Sequence, residues 1–326
     1  MPYQTGRIDN STELLEEIIA WLESLGWEQG ANPGDIAPSQ PTAAGYHIHI
    51  SKNGLFVNLR SVVGSTGPWA GGHMSGTPAP ALVSLHLYAG NEYNNGPKGN
   101  NATYNVGVAV QMQEGSINSY AFYSDAEDNI CIVFEGKPGI ISSIGWGRLN
   151  KTGIWTGGEY FFGPLTGADF ATQAAANEPG KTMHGYCPAT YGSSPRAFVR
   201  ADVDAFVDKW FGIGAGTTAY LGYTGKTALS SVFYNNITLP AQAYDVAMYY
   251  GLKERATDQA TLTATLLPIR LWVPRDAGGH SLLGDLPSIF FSSAANEPCN
   301  LQIGSVIKYG ADEYVLYPNF AVKRVP

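Results

Sequence analysis

The chain predicts an α+β fold dominated by antiparallel sheet, with an N-terminal helix and a few short helices further along. Three observations carry that prediction. Short apolar and aromatic runs recur through most of the sequence, bounded by clusters of Gly, Pro, Asn and Asp, the pattern of strands and turns. Strong helical spacing of apolar residues occurs near the N-terminus, between Leu14 and Leu25. Glycine (39) and tyrosine (19) are abundant, while only 14% of the 326 residues are charged, well below the usual quarter.

The helix is read over 12–25. Asn10 is placed as its N-cap, with Glu13 three residues later in a weak form of the capping-box spacing. Leu14, Ile18, Trp21, Leu22 and Leu25 form one apolar face, which Leu15 and Ile19 widen. Gly26 and Trp27 follow as the glycine and hydrophobic residue that close a helix. The helix is expected to dock on a sheet.

Residues 29–45 hold three prolines and read as loop. Tyr46 to Ile50 alternates with period two and is a strand; Asn53-Gly54 is a hairpin turn, and 55–63 is the returning strand. Residues 64–80 and 91–101 are too long and too rich in Gly, Pro and Asn for tight turns, and read as extended loops around a strand at 82–88. A further strand at 103–112 leads into the richest stretch, 120–163. There Tyr120-Ala121-Phe122-Tyr123 and Ile130-Cys131-Ile132-Val133-Phe134 flank a polar turn, and a third strand runs from Ile140 to Trp146. Glycines then alternate with aromatics through Gly145-Trp146-Gly147 and Trp155-Thr156-Gly157-Gly158-Glu159-Tyr160, as where another backbone comes close. Residues 46–163 are expected to form one continuous antiparallel meander.

Beyond it, 168–181 is weakly helical and 185–194 is loop. Residues 200–210 read as a short helix with Val203, Phe206, Val207 and Trp210 inward. The last third is β-rich: a strand at 262–273 interrupted at Pro268, a short apolar run at 288–291, and a terminal hairpin of 306–309 and 314–317. The domain reading is a helix (1–28) docking on an antiparallel β core (29–165), with a β-rich C-terminal part (166–326) in the same domain or closely packed on it.

The net charge of −8 and the lack of a basic stripe argue against direct sequence-specific nucleic-acid binding. No run approaches the roughly 18 apolar residues of a membrane span, and the first residues lack the form of a secretory signal. Cys131, Cys187 and Cys299 are odd in number and far apart, which favours a reduced compartment.

No constellation predicts a catalytic, cofactor or metal site. His47 and His49 share one strand face, and His86 could meet them across the sheet, but no nearby carboxylate completes a ligand set. Asp125, Glu127, Asp128 and Asn129 resemble a calcium loop in composition without its spacing, and read as a solvated hairpin tip. Asp204 and Asp208 share a face of the expected helix and read as its charged outer side. Cys187, three residues after His184, is a weak thiolate pair. The G-x-S-x-G, P-loop and dinucleotide fingerprints are absent.

Low charge and exposed aromatics between glycines suit an interface, with Trp69, Tyr93, Trp146, Trp155 and Tyr160 as the candidate contact residues. The tryptophans at 146 and 155 are also expected to act in packing. A sugar-stacking platform built from Trp146, Trp155 and Tyr160 is the alternative use of the same residue types.

Three places together resemble a family of tailed-bacteriophage virion proteins: the N-terminal helix running into Leu25-Gly26-Trp27; Tyr120 to Asp125 with Gly145 to Leu149 and Trp155 to Tyr160; and Leu267-Pro268-Ile269 with Leu283-Gly284-Asp285-Leu286-Pro287 and the ending Tyr314 to Phe320. The resemblance implies a structural subunit of the neck at the head–tail junction, the tail end or the baseplate. It implies a location in the virion after assembly in the host cytoplasm, with the helix-then-Gly-Trp opening similar to tail-terminator and tail-completion proteins. It further implies a homo-oligomer, in a ring, with other tail or neck proteins as partners, and no enzyme activity, cofactor or membrane. The alternative is a carbohydrate-binding, receptor-recognition module of the tail.

Overall fold

A computed structural model of the chain describes residues 3–9, 11–30, 47–63, 83–90, 107–112, 117–137, 140–162, 197–203, 206–213, 229–230, 266–274, 280–291, 304–317 and 320–325. Within them lie one helix and three antiparallel sheets.

The central sheet has seven strands, in the order β1 (Tyr3–Ile8), β7 (Ile117–Ser124), β8 (Ile130–Lys137), β9 (Ile140–Arg148), β11 (Gly157–Phe162), β12 (Ala197–Val203) and β13 (Phe206–Ile213). A second sheet orders β2 (Glu28–Gln29), β3 (His47–Lys52), β4 (Leu55–Val63), β5 (Val83–Gly90) and β6 (Gly107–Met112). The third runs β14 (Leu229–Ser230), β15 (Leu267–Pro274), β16 (His280–Phe291), β19 (Phe320–Arg324), β18 (Asp312–Leu316) and β17 (Val306–Tyr309), and β10 (Asn150–Lys151) pairs with β16 beside that path.

The non-alternating apolar runs of the central strands follow from burial on both faces. Tyr120, Phe122, Ile130, Ile132, Phe134, Ile144, Trp146 and Phe161 face one core. Their neighbours Ala121, Tyr123, Cys131, Val133, Tyr160 and Phe162 face another. Because side chains alternate between faces, a strand with apolar layers on both sides carries apolar residues at every position. Helix α1 (Ser11–Ser24) and the second sheet fill the first core; the third sheet, through Ile269, Leu271, Leu283, Ile289 and Phe320, fills the other.

Helix α1 buries Leu14, Leu15, Ile18, Ile19, Trp21 and Leu22, and turns Glu16, Ala20 and Glu23 to solvent. At its start the Glu13 carboxylate accepts from Asp9 N at 3.1 Å. At its end Gly26 adopts φ 84°, Trp27 N bonds Leu22 O at 3.0 Å and Gly26 N bonds Glu23 O at 2.9 Å, the paired bonds of a glycine-closed helix. Trp27 then meets Trp146 edge-on at 5.9 Å, and Trp21 meets Phe122 at 5.2 Å.

Two expectations are corrected. Residues 200–210 are not helical: β12 and β13 form a hairpin in which Arg200 pairs with Trp210 and Ala201 with Lys209. In β12 the period-two set Val199 and Ala201 enters the core beside β11, and that burial overrides the weak helical spacing. The meander of 46–163 is split among three sheets: β3 to β6 lie in the second, β7 to β9 and β11 in the central one, and β10 beside the third. Strand β10 joins the third sheet, and β12 and β13 join the central one. Of the few short helices expected besides α1, none is found among the described residues; the 168–181 segment, the 185–194 loop and the loops at 64–80 and 91–101 lie outside them. Strands β1 and β19 were missed by sequence reasoning, and both complete sheets.

Candidate functional site

The turn between β7 and β8 holds a dense polar network among the described residues. Asp125 caps it from within: Oδ1 accepts from Glu127 N at 2.9 Å, Asn129 N at 3.0 Å and Asn129 Nδ2 at 3.1 Å. Its Oδ2 accepts from Asn129 Nδ2 at 2.9 Å and from Ser288 Oγ, in the third sheet, at 2.6 Å. Asn129 Oδ1 in turn accepts from Arg148 N at 2.7 Å and Tyr160 OH at 3.4 Å, tying β9 and β11 to the turn.

The same turn reaches the second sheet. The Asn53-Gly54 corner, with φ 50° and 76°, places Asn53 Nδ2 2.7 Å from Asp128 Oδ2, and Lys52 Nζ lies 2.6 Å from Asp128 Oδ1. Lys52 also donates to Leu25 O at the end of α1, and Arg148 donates to Asn53 O. The turn is therefore not a solvated tip. Asp128 and Asn129 are buried, and only Ala126 and Glu127 are exposed. A carboxylate placed among so many donors loses water but keeps its hydrogen bonds, the condition for burying it.

Gly145 and Gly147 make this packing possible. A side chain at Gly145 would collide with the Phe162 ring and Ile130 O, and one at Gly147 with Asn129. The close backbone approach expected of these glycines is made at Gly145 by Ile130 O, with the Phe162 ring beside it; at Gly147 it is made chiefly by the Asn129 amide of the polar network.

Beside the turn lies an open cleft of about 430 Å³ whose rim carries Asp125, Glu127, Asp285 and Asp312 against Lys323. Its wall is a bulge in β16: Asp285 pairs with Arg270 and Phe290 with Pro268, leaving four residues opposite Ile269. Ser288 sits in that bulge at φ 60°, which aims its hydroxyl at Asp125. Most of the carboxylates already have partners, Asp312 with Lys323 at 2.8 Å and Asp285 with Arg270 at 3.4 Å.

The interface candidates divide. Trp146 and Tyr160 are 1% and 2% exposed, so neither presents a ring at the surface of this chain; Trp146 serves packing, and the three-ring sugar platform loses two members. Strand pairing places both residues in the interior of the central sheet, which decides their burial. Trp155 is partly buried against the second core, with Nε1 donating to Thr152 O at 3.2 Å. Trp69 and Tyr93 lie outside the described residues.

The histidine row is divided as well. Arg60 pairs with both His47 and His86 in the strand register and so stands between them, while His49 is buried opposite Asn58. Among the described residues no group of three or more His, Cys, Asp or Glu side chains is placed to hold a metal ion, and no helix is long and apolar enough to cross a membrane. Burial pushes the Cys131 thiol up, which leaves it un-ionised and poorly nucleophilic. Burial also raises Tyr123 and Tyr317, whose hydroxyls meet at 2.5 Å between the central and third sheets.

Sequence reasoning missed Lys52, Asn53, Asn129 and Ser288 as members of one network. The Asn53-Gly54 turn signal located one of them, but their partners lie 75 and 163 residues away in the chain. No family model matches the sequence, and no curated protein matches it.

Proposed function

We propose that this chain is a structural subunit of a tailed-bacteriophage virion, acting at the neck, tail end or baseplate by assembling with itself and with other virion proteins. One observation carries the reading. Segments that bear the resemblance meet around a single polar network: Tyr120 to Asp125 in β7 and its turn, Gly145 to Leu149 at the end of β9, and Trp155 to Tyr160 leading into β11, while Leu283 to Pro287 in β16 runs directly into Ser288, which bonds Asp125. The end of α1 at Leu25 joins the same network through Lys52. These residues tie three layers into one body, which suits a part that must hold its shape under load from neighbours. The low charge content is consistent with a surface that meets protein.

The test is made on particles from a producing culture, by quantitative mass spectrometry followed by cryo-electron microscopy. The expected result is several copies per particle, with contacts burying more than about 1,000 Å². Particles that lack the chain, or hold isolated copies without such contacts, overturn the reading.

A further inference from the structure

The loop that joins β10 to β11 holds a bare isoleucine. Ile154 is 106% exposed, the fullest exposure of a large apolar side chain among the described residues. Single exposed aliphatics are ordinary on protein surfaces. This one stands on a braced support. Thr152 N bonds Leu283 O at 2.8 Å, Lys151 Nζ bonds Trp155 O at 2.9 Å, and the same ammonium lies 5.2 Å from the Trp155 ring centroid. A loop already held in shape has little ordering entropy left to lose on docking.

The acidic cleft lies next to this loop. Asn150, at the loop's root, is part of its lining, together with Phe290 and Val325 as apolar wall and Glu127, Asp285 and Asp312 on its rim. Ile154 is wholly exposed, so it does not occupy the cleft of its own chain. The loop offers an apolar apex beside the positive charge of Lys151. The cleft offers apolar wall beside excess negative charge. These are complementary, and because the two patches adjoin, a two-fold axis lets both contacts form at once.

We propose that two copies of this chain pair reciprocally, the 150–156 loop of each seated in the acidic cleft of the other. The proposal is argued from these patches alone, and it gives the self-assembly proposed above one specific contact.

Sedimentation equilibrium of the full chain tests it, at concentrations up to about 200 µM, where even weak specific association registers. The expected result is a monomer–dimer equilibrium. Ile154→Asp, at a position fully exposed among the described residues, should weaken the dimer about a hundred-fold, since each dimer contains the contact twice, and leave the melting temperature unchanged. Glu127→Lys, at the exposed rim, should weaken it similarly. Mixing the two variants should restore association above that of either alone, because the mixed pair retains one intact loop and cleft. A wild-type monomer throughout, an Ile154→Asp dimer of undiminished affinity, or a mixture no better than its components would each overturn the proposal. Failure here leaves the virion reading to its own test on particles.

Discussion

The turn after β7 and the loop after β10 reverse what their residues suggest. The turn, Asp125 to Asn129, is polar throughout apart from Ala126, yet Asp128 and Asn129 are buried beneath two neighbouring sheets. The loop carries Ile154 and Trp155, yet its apex is bare. Residue type fixes the cost of each environment; topology decides which environment is imposed. The turn lies where all three sheets converge, so its polar atoms must find partners within the protein. The loop leaves the central sheet by way of β10 and has no layer above it among the described residues.

The largest effect should separate the tryptophan behind the turn from the one in the loop. Trp146 pairs with Ile130 and is sealed against Trp27, whereas Trp155 covers only the edge of a core. Trp146→Ala is expected to cost about 3–5 kcal/mol. Trp155→Ala, which loses one hydrogen bond and one cation–π contact, should cost about 1 kcal/mol. Chemical denaturation of both variants measures the gap. Equal losses would show that the loop is as integral to the fold as the turn.

Next in size is the network itself. Asn129→Ala leaves Arg148 N and Tyr160 OH without their buried acceptor and removes two bonds to Asp125. An expected loss of about 2–4 kcal/mol follows from stranding buried donors. Hydrogen exchange at Arg148 should accelerate along with the fall in stability. A variant as stable as wild type would mean that water replaces the amide and that the turn is not closed.

Much of this architecture was legible locally. The helix, its glycine close and the Asn53-Gly54 hairpin are set by residues within one or two turns of each other, and they appear where spacing placed them. The apolar runs at 120–123 and 130–134 announced strands, but not that both faces would be covered, because the covering residues come from helix α1 and from beyond residue 266. The turn was misread for the same reason. Asp125 and Asp128 look solvated until Ser288, Lys52 and Asn53 are brought to them. The hairpin of β12 and β13 was lost because Val203, Phe206, Val207 and Trp210 satisfy helical spacing, while the alternation in β12 matters only once β11 lies alongside.

A smaller effect concerns the third-layer anchor. Ser288 holds φ 60°, where a side chain is strained, and donates to Asp125. Ser288→Ala removes the bond and keeps the strain, for a loss of about 1 kcal/mol; Ser288→Gly removes both, so its net change should lie within about 0.5 kcal/mol. The two melts therefore separate bond from backbone. If glycine proves the more damaging of the pair, the backbone at Ser288 gains nothing from losing its side chain, and the strain argument fails.

The smallest effect belongs to a charged triad that topology leaves near the surface, in contrast with Lys52 and Asp128. In the β17–β18–β19 ladder the hydrogen bond from Lys308, at 3.2 Å, together with Arg324, at 2.7 Å, holds the Glu313 carboxyl below the usual carboxylate range. A carboxyl that releases its proton more readily when folded stabilises the fold fully above its unfolded pKa, and that contribution is lost as pH falls through the lower folded value. Glu313→Gln should therefore melt slightly below wild type at neutral pH, and the gap should close on acidification below the ordinary carboxylate range. Solvent screening keeps it small, and added salt should narrow it further. A gap that widens in acid would reverse the sign and show that Glu313 is held up by its neighbours rather than down.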